Sequence, residues 1–253
     1  MDKLSVVILT KNEEAQIRKC LESIKWADEI IIVDDFSTDR TLQICREYTD
    51  KIFQKKLEGF SAQREFGAFQ AGGPWVLHLD ADEVVTPALQ EEIKEILEKG
   101  TDCDGFLIYR PTVYLGRLMR YCGWRARPLL LFRKNKGRYD GRLVHERISV
   151  DGKIGCLRNE IIHKGYKNLS EHFAKMDLYT TYDAEELWRK GKRLNIFNYP
   201  VYFILKPSFI FFRRYIIQRG FKEGLRGLFI SVITAFIVFM NYAKLWEKQK
   251  NAH

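Results

Sequence analysis

The chain has 253 residues, 46% of them hydrophobic and 30% charged, a balance that suits a folded protein with a full core and excludes a disordered or fibrous one. The net charge of +9 is uneven: Leu187–His253 holds 13 Lys/Arg against 2 acids, a net of +11, which leaves the first 186 residues at −2. A near-neutral body with one basic end is not a general nucleic-acid binder, and the basic end fits an anionic surface instead. Cys20, Cys45, Cys103, Cys122 and Cys156 are odd in number and contain no C-x-x-C pair. That pattern argues against a disulfide framework or a zinc site and for thiols in a reducing cytosol.

Leu4–Thr10 (LSVVILT) is an apolar, β-branched run and reads as a buried strand. It is short and leads into Lys11-Asn12-Glu13-Glu14, so no signal peptide is expected. Asn12 is placed to cap a helix carrying Ile17, Leu21 and Ile24. Glu29–Val33 reads as a second buried strand closing on Asp34-Asp35, and Ser37-Thr38-Asp39 supplies caps for a helix containing Leu42, Ile44 and Cys45. Lys51–Gln54 reads as a short strand, Ser61–Ala71 as a helix and Trp75–Leu79 as the fourth strand. Strands and helices in this alternation predict an α/β fold with a mostly parallel sheet and right-handed crossovers. Ligands of such sheets bind beyond the carboxyl ends of the strands, where Thr10–Glu13, Asp34-Asp35 and Asp80-Ala81-Asp82 all fall. No glycine-rich phosphate loop follows the first strand, which disfavours a dinucleotide fold or a phosphate-loop ATPase and leaves a metal as the expected grip on phosphate.

Asp80 and Asp82 stand at the end of the fourth strand and, because strand residues alternate sides, point the same way. Two carboxylates held that close need a positive charge between them. A divalent cation chelated by a nucleotide diphosphate supplies one, because hard cations prefer carboxylate and phosphate oxygens. Glu83 would otherwise suit the start of a following helix. His78, inside the apolar strand, reads as a satisfied core histidine.

A helix is expected over Pro87–Lys99, then strands at Gly105–Tyr114 and Pro128–Phe132. Gly116–Arg127 between them is rich in arginine and aromatics, and Trp124, Arg125 and Arg127 are candidates for an acceptor or diphosphate clamp. Trp faces stack on sugars and Arg forks bind phosphate oxygens. Ser170–Arg193 is helical and polar. Gly227–Ala243 holds 17 residues without charge, borderline for a membrane span. Upstream, Tyr199–Phe212 is aromatic, interrupted by Pro200 and Pro207, and followed by Arg213-Arg214. Aromatics interleaved with Lys/Arg fit helices lying on the cytoplasmic membrane face, although core helices would show the same composition.

In order, LSVVILTKNEE, WADEIIIVDDFSTDRT, WVLHLDADE, GW, LLLFRK, VHE and a GF-x-x-G pattern at Gly220–Gly224 resemble glycosyltransferase family 2, in particular its lipopolysaccharide-core β-glucosyltransferase branch. The resemblance implies a GT-A fold, a nucleotide-sugar donor such as a UDP-hexose, a divalent metal (Mg²⁺ or Mn²⁺) and inversion at the anomeric carbon. It places Thr10 and Glu13 beside the nucleoside, Asp34 or Asp35 at the uracil edge, Gln63 and Arg64 near the nucleotide, Asp80 on the ribose or phosphate side and Asp82 on the metal. Arg40 stands where many relatives carry glycine. His145-Glu146 is the remaining polar pair, and adjacent residues on an extended segment face opposite ways, so Glu146 is assigned as general base and His145 to the metal side. Glu83 and Asp151 are alternative bases. The expected division is a catalytic domain over 1–193, with the nucleotide part at about 1–99 and the acceptor part at about 100–193, then membrane-associated helices over 194–253. The expected acceptor is a glycan or lipid-linked molecule met at the inner face of the cell membrane. Two other classes compete. A nucleotidyltransferase also uses paired acids with Mg²⁺, but would carry a glycine- and lysine-rich loop where this chain has Thr10-Lys11-Asn12-Glu13. A non-catalytic membrane-associated sugar-binding module would not bind metal with UDP at Asp80 and Asp82.

Overall fold

The computed structural model describes residues 2–140, 148–166 and 168–251. The chain forms two compact units interleaved in sequence, Met1–Pro111 with Ala126–Lys164 and Thr112–Arg125 with Gly165–His253.

The first unit carries strands β1 (Leu4–Thr10), β2 (Glu29–Asp34), β3 (Ile52–Gln54), β4 (Trp75–Asp80) and β5 (Glu83–Val85), and most of β6 (Gly105–Tyr114). The short β7 (Arg117–Leu118) and β8 (Arg125–Ala126) follow, then β9 (Leu129–Arg133), β10 (Gly137–Tyr139), β11 (Ile148–Val150) and β12 (Ile154–Lys164). Its helices are α1 (Ile17–Glu22), α2 (Thr41–Cys45), α3 (Phe60–Gln70) and α4 (Pro87–Lys99). The main sheet runs β3-β2-β1-β4-β9-β6-β12-β5. β1 is parallel to β2 and β4, and β2 to β3. β9 is antiparallel to β4 and β6, and β12 to β5. The expected parallel α/β half is therefore present and is extended by an antiparallel half.

β1, β2 and β4 are apolar on both faces because helices cover both. Val6, Ile8, Ile32, Leu77 and Leu79 pack with Ile17 and Leu21 of α1 and with Leu89 and Ile93 of α4. The alternate residues Val7, Val33 and Val76 pack with Ala68 of α3 and with Phe132. Gly67 lets α3 lie close on β1, since a Cβ there would overlap Val7 Cγ1. α4 starts as its sequence dictates: Thr86 Oγ1 accepts the Leu89 N–H at 3.3 Å, and Pro87 occupies the first turn.

Local expectations change at the start of α1 and again after β4. α1 begins at Ile17 without a side-chain cap, and Asn12 does not cap it. Asn12 instead takes a left-handed conformation (φ 53°) and accepts the Thr38 N–H at 2.8 Å, joining the loops that follow β1 and β2. β4 stops at Asp80, and the chain turns at Ala81-Asp82 before β5. Asp80 and Asp82 are thus not neighbours on one strand face. Glu83 opens β5 rather than a helix.

The second unit holds α5 (Leu169–Arg189), α6 (Lys206–Phe212) and α7 (Leu225–Asn251). Helical backbone runs through Val201–Leu205, α6 and Arg213–Ile217, widening to π-type turns on either side of α6. Pro207 was expected to interrupt this segment. It sits in the first turn of α6, and the wider turn before it absorbs the missing N–H. One core cluster contains Ala184 of α5, Leu194, and Tyr242 and Leu245 of α7. A second contains Tyr114, Met119, Cys122 and Ile230.

Candidate functional site

Strand register builds the site. Thr10 of β1 lies opposite Asp34 of β2, and Leu9 lies opposite Asp80 of β4, so the three polar clusters end level at the carboxyl edge of the sheet. β1 has β2 on one side and β4 on the other, the point where chain order reverses and ligands of open α/β sheets bind.

The carboxylates at this edge have different partners. Arg64 of α3 donates to Asp80 Oδ1 at 2.6 Å, and Arg110 of β6 donates to Asp80 Oδ2 at 2.8 Å. Arg110 also pairs with Glu83, whose Oε2 accepts the Asp80 N–H at 2.8 Å. The positive charge beside Asp80 is thus arginine, where the sequence led us to expect a cation shared with Asp82. Burial alone would raise the Asp80 carboxyl, but the two guanidinium groups outweigh it and hold Asp80 well below the usual carboxylate range. Burial pushes Glu83 above its usual value, with Arg110 opposing and the Asp80 charge reinforcing. Glu83 is held under the site by these contacts, a geometry that suits support more than proton transfer.

Asp82 faces the other way, toward β12. Its Oδ2 lies 3.4 Å from His163 Nε2, and its carbonyl accepts the Lys164 N–H at 2.8 Å. Nothing near His163 in the sequence points to Asp82, its partner, which lies far away in the chain. The available signal was a histidine near the end of a long strand-like run, Ile154–Lys164. A carboxylate and an imidazole side by side are suitable donors for a divalent transition metal. Among the described residues no group of three or more His, Cys, Asp or Glu could hold a metal by itself. A cation on Asp82 and His163 would therefore need further ligands from a bound diphosphate or from water.

The side of the edge between β1 and α3 is buried, with Thr10 and Gln63 both inside. Thr10 Oγ1 and the Gln63 Oε1 atom of α3 are buried with no hydrogen-bond partner among the described residues. Buried polar atoms are costly unless satisfied, and a bound polar ligand would satisfy them. The Gln63 amide is anchored by donating to Lys55 O at 2.8 Å. The Asp34 carboxylate is taken up internally by the Ser37 hydroxyl and N–H and by Gln54 Nε2. Asp35 accepts from Lys11 Nζ at 2.5 Å and from the Leu57 N–H at 2.9 Å. The Glu13 N–H donates to Thr41 Oγ1 at 2.8 Å, and Arg40 pairs with Glu14. His78 is buried in β4, with Nε2 2.8 Å from Tyr139 Oη but Nδ1 without a partner among the described residues, so it is only half satisfied. Burial and nearby Arg64 push its pKa well down, which keeps it neutral.

His145 and Glu146 lie outside the described residues. Asp151 is exposed at the turn between β11 and β12, at the opposite end of β12 from His163, roughly 30 Å away at about 3.3 Å per residue. It is too far from Asp82 to serve as the base there. Arg127 stacks on the Tyr109 ring at 3.8 Å in the first unit. Trp124 belongs to the second unit, where it meets Tyr114 edge-on with ring centroids 5.0 Å apart. Tyr166 and His172 stack beside it at 3.9 Å. Arg125 opens β8.

The family model for glycosyl transferase family 2 matches residues 5–157. A lipopolysaccharide core biosynthesis glycosyltransferase, LpsC of Rhizobium meliloti (strain 1021), is 31% identical over 97% of this chain and 92% of its own length. An uncharacterized glycosyltransferase of Rickettsia felis is 30% identical over 99% and 93%. Among solved structures, S. aureus TarS 1–349 superposes with a TM-score of 0.51 at 17% identity, covering 99% of this chain and 92% of that one. Glucosyl-3-phosphoglycerate synthase of Mycobacterium tuberculosis, in complex with Mn²⁺, UDP and glucosyl-3-phosphoglycerate, gives 0.50 at 17% identity, covering 77% and 82%. These two likenesses carry the fold, a mixed α/β GT-A-like architecture.

Proposed function

Because the chain belongs to glycosyl transferase family 2, we propose that it moves a hexose, with inversion, from a UDP-sugar to a glycan or lipid-linked acceptor of the cell envelope at the cytoplasmic membrane face, using Mg²⁺ or Mn²⁺. The observation that carries this reading is the shared edge of Thr10, Asp34 and Asp80, with Asp82 turned toward His163. Three features of similar proteins support it. TarS has been solved with UDP and with UDP-GlcNAc, the Mycobacterium synthase with Mn²⁺ and UDP-glucose, and LpsC is named for lipopolysaccharide core biosynthesis.

In this reading Thr10, Glu13, Asp34, Asp35 and Gln63 line the nucleoside side, and Arg64 and Arg110 fix Asp80 in its ionised form toward the ribose or phosphate. Asp82 holds the metal, with His163 beside it and His145 on the same side. The cation, when bound, supplies charge neutralisation for the departing diphosphate. Glu146 takes the proton of the acceptor hydroxyl. Trp124, Arg125 and Arg127 serve the acceptor or the diphosphate. The nucleotide part spans about 1–99, the acceptor part about 100–193 and the membrane part 194–253.

A thermal-shift screen of UDP-, GDP- and dTDP-sugars with Mn²⁺ tests the donor assignment. A cognate donor at 100 times its dissociation constant stabilises by about 2.7 kcal/mol. UDP-sugars should shift the midpoint in the presence of Mn²⁺. A response to nucleoside triphosphates alone would favour nucleotidyl transfer instead.

A further inference from the structure

Residues 187–222 contain nine Lys/Arg and no acid. Within them the helical run Val201–Ile217 has two unlike faces. Tyr202 and Phe203 pack inward, at 4.4 Å from the Tyr242 ring and 5.4 Å from the Phe239 ring, and Lys206 Nζ donates to Tyr242 Oη at 2.9 Å. Val201, Leu205, Phe209, Phe212 and Ile216 recur at spacings of three and four, which puts them on one stripe. All five are exposed, Leu205 by 60% and Phe209 by 58%; Ile204 and Ile217 of the same run are each 61% exposed and add to the apolar surface beside the stripe, and Phe197 just before them is 91% exposed. Arg213 and Arg219 are exposed at the end of the run and Lys222 just beyond it.

α7 is long and apolar enough to cross a bilayer. However, it is joined to the polar helix α5 by Asn241–Asp183 at 2.8 Å, Lys244–Asp177 at 2.7 Å and Lys248–Glu185 at 2.5 Å. These pairs would have to be pulled apart, or carried into hydrocarbon, for α7 to span alone.

Residues at and just beyond the end of the run Val201–Ile217 also hold the loop before Trp124. Cys122 N–H donates to Gln218 O at 3.0 Å, and Arg214 Nη1 donates to Cys122 O at 2.5 Å. Glu223 is buried, and its Oε1 accepts the Arg120 and Tyr121 N–H groups at 2.8 and 2.9 Å. Gly123 is left-handed (φ 71°), and a Cβ there would overlap Gln218 and Arg214.

Resting on the membrane reading above, we propose that the apolar stripe of 196–221 lies in the plane of an anionic bilayer, its basic residues on lipid phosphates, and that the Glu223 staple fixes loop 115–124 to this docking element. Apolar burial and attraction to anionic lipid then act together.

The test uses full-length protein with phosphatidylglycerol or phosphatidylcholine vesicles, read by co-sedimentation and hydrogen exchange. Binding should favour phosphatidylglycerol, with new protection in 196–221 and in 115–124. The double variant Leu205→Glu/Phe209→Glu should weaken vesicle binding about tenfold or more while UDP binding holds. Glu223→Ala should keep vesicle binding and protection of 196–221 but lose protection of 115–124. Glu223→Gln, which retains the accepting oxygen, should restore it. Binding with protection confined to α7 overturns this inference and leaves membrane association standing. So does Glu223→Ala leaving 115–124 protected. No binding to either vesicle defeats both readings. A lipid-independent dimer that the double variant abolishes assigns the stripe to a second copy and overturns the proposal.

Discussion

In the first unit, the charged residues at the sheet edge face one another. Asp80, Glu83, Arg64 and Arg110 form one connected network, and Asp82 meets His163. In the second unit, the buried acid Glu223 meets backbone N–H groups, and the basic residues of 187–222 have no acid within that stretch. Val201, Leu205, Phe209, Phe212 and Ile216 lie exposed along one stripe of its helical run. In the proposed reading the same residue types do two jobs, although Arg189 and Lys190 pair with Glu185 and Glu186 of α5. Where opposite charges are paired and partly desolvated they fix geometry. Where one sign is left exposed beside apolar surface they favour an anionic interface.

The largest effect should come from chemistry at the first unit. Glu146→Gln keeps size and hydrogen bonding but cannot take a proton. Turnover should fall by about 10²–10⁴ with UDP binding nearly unchanged. Steady-state rates and donor titrations separate this from a binding role, in which affinity would fall and turnover hold.

Arg110→Ala attacks the network. It leaves Glu83 buried without its guanidinium partner, and breaking such a pair costs about 3–5 kcal/mol. Glu83 already sits above its usual pKa through burial. A raised carboxyl favours folding below its unfolded value, and that contribution is lost as pH rises through the folded value. The variant should therefore lose less stability near pH 4 than at pH 7. Urea denaturation at both values checks the sign, and equal losses would show that Glu83 carries no uncompensated charge. By the opposite sign, Asp80 stabilises above its unfolded value and ceases to as pH falls through its depressed one.

Gly67→Ala should cost about 1–3 kcal/mol, because the added methyl overlaps Val7 and pushes α3, with Arg64, away from β1 and Asp80. An unchanged midpoint would mean that the helix shifts without strain.

The second unit offers a smaller contrast. Burial lowers the His172 pKa to about 4, with Glu171 opposing, and the ring stacks on Tyr166. A depressed histidine stabilises above its unfolded value near 6.5, and that stability is lost as pH falls toward 4. His172→Phe keeps an aromatic ring and removes the titration. Its stability should fall less than wild type between pH 7 and pH 4.5, by on the order of 1–3 kcal/mol. Parallel pH profiles would count against the histidine's role.

Much of the first unit was legible in its sequence because its information is local. β1, β2 and β4 announce themselves as unbroken β-branched or apolar runs, and Thr86-Pro87 marks the start of α4. The carboxyl edge followed from where those runs end. What could not be read depended on partners distant in the chain. Arg110 and His163 reach the edge from β6 and β12, and nothing near them in sequence names Asp80 or Asp82. The Ala81-Asp82 turn into β5 was hidden because Glu83 reads equally well as the start of a helix, and nothing local shows that Glu83–Val85 pairs with β12. In the second unit, Pro207 reads as a break, but the wider turn ahead of it lets the helix continue. The exposed stripe shows only once the inward face of that helix is known.

In the proposed function, Asp82, after the carboxyl end of β4, couples metal to nucleotide. Calorimetric titration of UDP into wild type and Asp82→Ala, each with Mn²⁺ and with EDTA, tests it directly. Wild type should bind UDP far more tightly with Mn²⁺ than with EDTA. The variant, with an unchanged melting midpoint, should bind weakly and equally in both. A variant that keeps the Mn²⁺ enhancement would contradict the assignment.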